Sequence, residues 1–342
     1  MNTFSANLRK RIPLKSKAIM LAVFASSALL NSMSAQALQV TVTIPPLAGM
    51  IAPLLDENDK IEVLLKPGVS PHGFQIKPSQ LGILQSSDLL ITAGTPVDAW
   101  VDKFANRIGA KQIHLAELQA TERLPLRKGG VWEKKLPKML QQSEERHDHS
   151  HGHDEHSTAL SFDGHIWMSM HNAQVLVEEV TQVLSQLKPQ KSQQIDMAKQ
   201  QWLARLREQD QSNQQRLAPL KDKAYLVLHD AFQYFEHHYG LNGVGSVRLN
   251  PEVPPSLKRI TELRSNLVSK KVQCVFQEPQ FPGKQLQRLT SGTSAKIGTL
   301  DPMGTMYIMQ AGGKSATFMN YDRFTEKLTD AFVDCLGHNY DR

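Results

Sequence analysis

The sequence predicts an α/β fold with two lobes, each built on a parallel sheet, joined by a long rigid backbone helix. Short β-branched runs alternate with amphipathic stretches near both ends of the 342-residue chain, a pattern typical of parallel sheets with helices on both faces. A long, mostly polar helical stretch separates these two regions. About 305 residues follow an N-terminal leader, which is enough for two substantial cores.

The predicted strands and helices fall into two groups. In the first group, strands are expected at 40–44, 61–65 and 88–92, with helices at 48–55 and 79–84. In the second group, strands are expected at 224–228, 272–276 and 296–300, with helices at 255–270 and 282–291. This alternation favours a mainly parallel sheet in each lobe.

Two further helices are predicted between the groups. Apolar residues recur on one helical face from 173 to 187. Pro189 is typical of the first turn of a second helix, which runs to about Leu217 and would span roughly 40 Å. Because few of its positions are apolar, we interpret it as a strut rather than a core element. We predict a first lobe at 38–170, connector helices at 171–218 and a second lobe at 219–342.

Residues 1–37 have the pattern of a secretory signal peptide. Five basic residues precede an apolar run that begins at Ala18, and a small-x-small cleavage signature ends at Ala37. The run is too short for a comfortable bilayer span, and no other stretch is apolar enough for one. We expect cleavage after Ala37 and a protein that is not embedded in the membrane. No cysteine near that site could accept a lipid, so we expect a protein without a lipid anchor in a Gram-negative periplasm. The alternative interpretation of the leader pattern is a disordered basic leader on a cytosolic protein.

The leader also dominates the formal charge. It holds five of the 39 basic residues and none of the 33 acidic ones, so the net charge falls from +6 to about +1 without it. Binding to phosphate backbones requires a clustered basic surplus. The composition therefore argues against a nucleic-acid partner.

Cys274 and Cys335 are the only cysteines in the sequence. In an oxidising compartment an isolated pair is most simply a disulfide, which would close a loop of about 60 residues and stabilise the fold by roughly 4 kcal/mol. Two thiolates alone make a poor zinc site, and the sequence has no CxxC motif. We therefore predict a disulfide.

The segment 141–158 contains no large apolar side chain. Five of the 13 histidines lie in it: His147, His149, His151, His153 and His156. Such a segment cannot bury enough surface to order itself, so we predict a disordered loop. Imidazoles bind zinc, copper and nickel, and the interleaved carboxylates add oxygen ligands. Because ordering a loop costs conformational entropy, we interpret it as an auxiliary, low-affinity metal collector.

Three isolated histidines are better placed for a tight site. His72 follows the strand 61–65, His229 follows the strand 224–228, and His165 comes just before the connector helices. Ligands of open α/β sheets collect at the carboxyl ends of strands, and a cleft between lobes often holds a ligand. Each histidine alone is more often a solvated or hydrogen-bonded loop residue. Position by itself leaves both interpretations open.

Several motifs resemble those of the ZnuA-type zinc-specific solute-binding proteins of ABC importers, a family within the metal-receptor cluster. The matching segments are KPGVSPHGF at 66–74, HIWMS at 165–169, HDAFQYFEHHYG at 229–240, CVFQEPQF at 274–281 and GTLDPMG at 298–304. Together with a His-rich acidic segment before HIWMS, their order and spacing extend the resemblance over nearly the whole chain after the leader.

This resemblance implies a two-lobe receptor that captures Zn²⁺ in its cleft and delivers it to the membrane permease of an ABC transporter. It implies His72, His165 and His229 as the three imidazole ligands, and the pair Cys274 and Cys335 as the family's C-terminal disulfide. We expect a monomer without enzymatic activity, with a periplasmic zinc chaperone as a further partner.

The fourth ligand is open. Some relatives have a glutamate before the first histidine, where this sequence has Pro71. Asp301 matches the position at which manganese- and iron-binding relatives supply a carboxylate, so either Asp301 or water completes the site. Three nitrogens and at most one oxygen suit tetrahedral zinc, whereas manganese prefers more oxygen ligands. Copper or nickel would also bind in vitro.

Two other functions compete with zinc delivery. A zinc hydrolase also keeps three protein ligands and an open position, but the sequence has no HExxH motif, no second His and Asp cluster, and no obvious base beside the histidines. A periplasmic zinc buffer or adhesin without a transporter would need only the His-rich segment. Glu278 is expected to border the cleft rather than to act in catalysis.

Overall fold

The computed structural model describes residues 37–127, 132, 162–310 and 317–337. The predicted signal peptide, apart from its last residue, and the predicted loop at 141–158 lie outside these residues. Within the described ranges, no helix is both long enough and apolar enough to cross a membrane.

The first lobe is built on four parallel strands in the order β2-β1-β3-β4. These strands are β1 (Gln39–Val42), β2 (Lys60–Val63), β3 (Leu89–Thr92) and β4 (Lys111–His114). Helices α1 (Pro45–Ile51) and α2 (Pro78–Gln85) lie in the first two connections. All four residues of β3 are buried, as its uninterrupted apolar run requires.

Two consecutive helices, α3 (Met170–Leu187) and α4 (Ser192–Leu217), follow the first lobe and pack against each other. Ser169 caps α3, because its hydroxyl oxygen accepts a hydrogen bond from the backbone N–H of Asn172. The 26 residues of α4 give it a length of about 39 Å. This long helix is the predicted backbone of the two-lobe fold.

The second lobe has four further parallel strands in the order β6-β5-β7-β8. They are β5 (Tyr225–Val227), β6 (Gly243–Ser246), β7 (Cys274–Gln277) and β8 (Lys296–Thr299). The helices of this half are α5 (Gln233–Tyr239), α6 (Leu257–Ser269), α7 (Lys284–Thr290), α8 (Thr305–Gln310) and α9 (Tyr321–Leu336). Because both sheets have the same parallel order, the predicted fold class is confirmed.

Each sheet has one strand more than the sequence predicts. The additional strands are β4, which reads Lys-Gln-Ile-His with one buried position, and β6, which reads Gly-Val-Gly-Ser. Neither carries a β-branched or apolar run, and glycine is depleted in strands. Both lie at the edge of their sheet, where pairing with a single neighbour is sufficient to form the strand.

The helix α4 belongs to the core, which corrects its interpretation as a strut. Trp202 and Leu206 on this helix are buried in one hydrophobic cluster that reaches from Val40 on β1 to Phe276 on β7. The indole N–H of Trp202 donates to the backbone oxygen of Met50 in α1 at 2.7 Å. The two lobes therefore share a core rather than meeting only at a connector.

The C-terminal helix α9 ties both lobes to α4. Arg205 on α4 donates to Asp322 on α9 at 2.5 Å, and α9 also contacts α1 of the first lobe. At that contact, a Cβ added to Gly49 would lie 2.2 Å from the backbone oxygen of Met319. The close approach of α1 to the chain entering α9 thus requires glycine at this position.

A disulfide joins Cys274 at the start of β7 to Cys335 near the end of α9, with Cα atoms 6.1 Å apart. The predicted pairing is confirmed. Both half-cystines are buried, and the bond holds α9 against the sheet of the second lobe. It links residues 61 positions apart and so restricts the unfolded chain over a long loop.

We expect Gly49→Ala to lower the free energy of unfolding by at least about 2 kcal/mol, because the new methyl group overlaps the Met319 carbonyl oxygen and the backbone must move. Gly82→Ala is the matched control, since this glycine also lies within a helix but has no atom within 4 Å of an added Cβ. There we expect a stabilisation of roughly 0.5–1 kcal/mol. Urea unfolding measures both changes, and similar effects in the two variants would contradict the close approach at Gly49.

Candidate metal centre

Three histidine side chains from separate parts of the chain converge. His72 lies in the loop between β2 and α2, His165 directly precedes a short helical turn before α3, and His229 lies two residues beyond β5. Their candidate ligand atoms all lie within 4.8 Å of one another. The structure thus brings together the three histidines that the sequence singles out.

Two of the three nitrogen–nitrogen distances match those of a tetrahedral zinc site. His165 Nε2 lies 3.4 Å from His72 Nε2 and 3.3 Å from His229 Nε2. Two nitrogens bound to one zinc ion at about 2.0–2.1 Å, with a tetrahedral angle between them, are separated by about 3.3–3.4 Å. Lone pairs of neutral imidazoles that face each other at this distance repel unless a cation lies between them. The arrangement therefore suits a metal ion.

Two carboxylates orient two of the imidazoles. The Nδ1–H of His165 donates to Asp163 Oδ1 at 2.7 Å, and the Nδ1–H of His229 donates to Glu278 Oε1 at 2.6 Å. The same two oxygens accept the backbone N–H of His165 and His229, at 3.0 and 3.2 Å respectively. With the proton held on Nδ1, the Nε2 lone pair of each ring faces the centre.

The same carboxylates surround the centre with negative charge. Asp163 and Glu278 are only 3% and 1% exposed. Their other oxygens, Oδ2 and Oε2, are buried without a hydrogen-bond partner among the described residues. Unpaired buried charge is costly, and a divalent cation between the imidazoles would compensate both carboxylates. The charge distribution therefore favours a dication.

Sequence patterns do not single out Asp163, and they place Glu278 only at the border of the cleft. The sequence feature that could have identified each carboxylate is its position in the chain. Asp163 precedes His165 by two residues, and Glu278 directly follows β7, which pairs in parallel with β5. Because the carboxyl ends of neighbouring parallel strands lie at the same edge of a sheet, Glu278 is placed beside His229.

The His165 segment is fastened to the second lobe on both sides of the ligand. The hydroxyl of Tyr234 donates to the backbone oxygen of Asp163 at 2.8 Å. The indole N–H of Trp167 donates to the backbone oxygen of Pro302 at 3.0 Å. These bonds fix the position of His165 relative to the lobe that carries His229.

His72 differs from the other two imidazoles. It is partly exposed, and no carboxylate of the described structure contacts its ring. Its backbone N–H donates to Ser70 Oγ at 3.3 Å, and that hydroxyl donates to Glu252 Oε1 of the second lobe at 2.6 Å. Burial, together with the neighbouring His229 and His165, lowers the pKa of His72 to about 2. Its ring is therefore neutral and able to bind a metal at neutral pH.

Asp301 does not belong to the group of converging ligand atoms. Its Oδ1 accepts hydrogen bonds from Gln280 Nε2 at 2.7 Å and from the backbone N–H of Met303 at 3.0 Å. Its Oδ2 accepts one from the backbone N–H of Met306 at 2.6 Å, and burial raises its pKa. The carboxylate is thus engaged elsewhere, and its role as fourth ligand stays a prediction.

Comparisons with known proteins find a family that covers most of the chain. The profile described as "Zinc-uptake complex component A periplasmic" (ZnuA) matches residues 40–335. A "High-affinity zinc uptake system protein ZnuA" from Yersinia pestis is 30% identical over 328 residues, which cover 94% of this chain and 99% of that protein. A protein of the same description from Haemophilus ducreyi is 31% identical over 309 residues, with 87% and 93% covered.

Solved structures are similar in fold. The periplasmic zinc-binding protein TroA from Treponema pallidum superposes with a TM-score of 0.67 at 20% sequence identity. The match covers 88% of this chain and 99% of that one. At this level of identity the likeness concerns the two-lobe architecture alone.

We expect the metal-free protein to lose stability below pH 6.5 in part through His72. The unfolded chain takes up a proton on this ring near its ordinary pKa of 6.5, whereas the folded protein does not until about pH 2. The contribution of the neutral ring is therefore complete above pH 6.5 and is about 2 kcal/mol smaller at pH 5.

The measurement is urea unfolding of the metal-free protein at pH 7.5 and 5.0. In His72→Gln, the decrease in unfolding free energy between the two pH values should be smaller by about 2 kcal/mol. His237→Gln, at an exposed position on α5, is the control and should behave like the unmodified protein. The same pH dependence in His72→Gln and the control would contradict the depressed pKa.

Proposed function

Because the chain belongs to the ZnuA family of periplasmic zinc-uptake components, we propose that it captures Zn²⁺ in the periplasm and delivers it to an ABC-type membrane permease. The observation that carries this proposal is the convergence of three imidazole groups whose ligand atoms lie within 4.8 Å of one another, with two of the Nε2–Nε2 distances at the spacing of a tetrahedral zinc site. The family is a transport component rather than an enzyme, so the centre holds an ion and releases it.

In this proposal His72, His165 and His229 bind the ion through Nε2. Asp163 and Glu278 hold two of the rings in the tautomer that leaves Nε2 available, which also makes those nitrogens more basic. Three nitrogen ligands suit zinc, whereas manganese prefers more oxygen. Copper and nickel also bind nitrogen sites strongly, so the metals available in the compartment contribute to selectivity.

We propose that a water molecule completes the zinc coordination. Asp301 is the alternative fourth ligand, but its two oxygens already accept three hydrogen bonds from Gln280, Met303 and Met306. To reach the ion, the carboxylate would have to give up at least part of this network in the protein interior. An open position occupied by water also leaves a site at which an acceptor ligand can attack during transfer.

Delivery is proposed to occur with little movement between the lobes, because they share one core.

The partner is the membrane subunit of the permease, and a periplasmic zinc chaperone is a further proposed partner. A single chain supplies all three ligands, which supports a monomer as the working unit. Export with cleavage after Ala37, and collection of zinc by the histidines of 141–158, belong to the same proposal.

Substitution of a proposed ligand tests the assignment. We expect His229→Ala to weaken zinc binding by at least about 100-fold, or about 3 kcal/mol, since it removes one of three nitrogen ligands. Competition with a chromophoric chelator measures the affinity. His171→Ala is the control, because its ring contacts the backbone oxygen of Ala120 and lies outside the centre. If His229→Ala bound zinc as tightly as this control, the ligand set would be wrong.

Glu278 provides a test of the orienting carboxylates. We expect Glu278→Gln to weaken zinc binding by about 10–100-fold, because the amide removes a negative charge and is a poorer acceptor for the His229 Nδ1–H. Glu208→Gln on α4 removes the same charge at an exposed position and should leave the affinity unchanged. Equal affinities in the two variants would exclude an electrostatic or orienting role for Glu278.

A further inference from the structure

A second cavity, of about 1090 Å³, adjoins the histidine centre, with one wall in each lobe. We call it the lateral cleft. Ser70, Gln280 and Phe281 line both the lateral cleft and the small space beside His72 and His229. A molecule in the lateral cleft would therefore lie next to the histidine centre. Its volume is slightly above the range of about 300–1,000 Å³ that is typical of small-molecule sites.

The lateral cleft is basic. Among its described lining residues are Lys66, Lys77, Arg248 and Lys284, against a single acidic residue, Glu252. That carboxylate already accepts a hydrogen bond from the first lobe at 2.6 Å. The three lysines are exposed, so their ammonium groups are accessible to an anion that enters the cleft.

Arg248 is a built-in part of the wall and is only 5% exposed. Its Nη1 donates to the backbone oxygen of Pro251 at 2.6 Å, and its Nη2 donates to Gln285 Oε1 at 3.1 Å. The guanidinium carbon lies 5.1 Å from the ring centroid of Phe281. Its Nε is buried without a hydrogen-bond partner among the described residues, and Glu278 and Glu252 attract the guanidinium electrostatically without a direct ion pair. A buried cation without a directly paired carboxylate is costly, and a bound anion would reduce that cost.

We propose that the lateral cleft binds a small polycarboxylate that enters together with zinc. One carboxylate displaces water from the coordination position that the three histidines leave open, and the others lie near Lys66, Lys284 and Arg248. A ligand with a single carboxylate could bind either the metal or the basic side chains of the lateral cleft, but not both. At least two carboxylates are therefore needed. This inference rests on the proposed zinc function of the histidine centre.

Equilibrium dialysis with labelled citrate tests the proposal on the zinc-loaded and the zinc-free protein. We expect one citrate per zinc-loaded protein, with an affinity at least about tenfold higher than for the zinc-free form, because only the loaded form offers a metal to coordinate. The zinc content of the protein after dialysis shows that the ion is retained. Failure of the protein to hold zinc in the absence of citrate would instead refute the proposed function.

Charge substitutions in the lateral cleft identify the site. The double variant Lys66→Gln and Lys284→Gln should weaken citrate binding by about tenfold while zinc binding without citrate stays unchanged. Lys258→Gln and Lys270→Gln remove the same charge from exposed positions outside the lateral cleft and serve as the matched control. Equal effects of the two pairs would mean that citrate responds only to net charge, and would overturn the site.

Replacing zinc with cobalt(II) shows by visible spectroscopy whether citrate coordinates the bound metal. Citrate should change the visible d–d spectrum of the cobalt-loaded protein, and sulfate should not. The proposal is overturned if citrate does not bind, if it binds equally well without metal, or if inorganic phosphate binds as tightly as citrate. Binding of a Glu-rich peptide without binding of citrate would also overturn it, because the occupant would then be an acidic protein segment.

Discussion

The positions of the three imidazoles depend on the hydrophobic core that both sheets share through α4 and α9. The three histidines are separated by 93 and 64 residues along the chain, yet the Nε2 of His165 lies 3.4 and 3.3 Å from the Nε2 atoms of the other two. Hydrogen bonds from side chains to the backbone of distant segments restrain these positions. Trp202 donates to the backbone oxygen of Met50, and Trp167 donates to that of Pro302. A centre assembled in this way loses little conformational entropy when the ion binds.

Protonation is controlled by the same framework. Asp163 and Glu278 hold the protons of two imidazoles on Nδ1, and burial among neutral rings keeps His72 unprotonated. The centre thus presents three lone pairs and two nearby negative charges to the same point in space. A proton can satisfy only one of these lone pairs, whereas a divalent ion satisfies all three and compensates both carboxylates. The preference for a metal over protons follows from this arrangement.

The sequence predicts the parts of the fold whose stability is encoded locally. Strands such as β3 are buried on both faces and therefore apolar throughout, so they stand out from the surrounding chain. The edge strands β4 and β6 and the core role of Trp202 depend on neighbours from distant segments, and a single sequence does not reveal such neighbours.

The sequence likewise predicts only those parts of the metal centre that local motifs encode. The three histidines are recognisable from motifs, but position alone leaves each of them ambiguous. The position of Glu278 directly after β7 places it at the edge of the cleft, but its hydrogen bond to the His229 ring, 49 residues away, is visible only in the structure. The hydrogen bonds that engage Asp301 come partly from Gln280, 21 residues before it, and they too become visible only in three dimensions.

The asymmetry among the histidines has a consequence for the rates of exchange. His165 and His229 are each held by a buried carboxylate through ring and backbone, whereas His72 lies on a partly exposed loop whose described contacts include no such partner. In the proposed zinc site His72 is the ligand with the fewest restraining contacts, and we therefore expect transfer to an acceptor to begin at His72 while the other two rings still bind the ion. His165 and His229 then contribute most of the zinc affinity, whereas the His72 loop sets the rate at which zinc dissociates. Substitutions around Ser70 are therefore expected to change the dissociation rate of the ion without changing how His165 and His229 bind it.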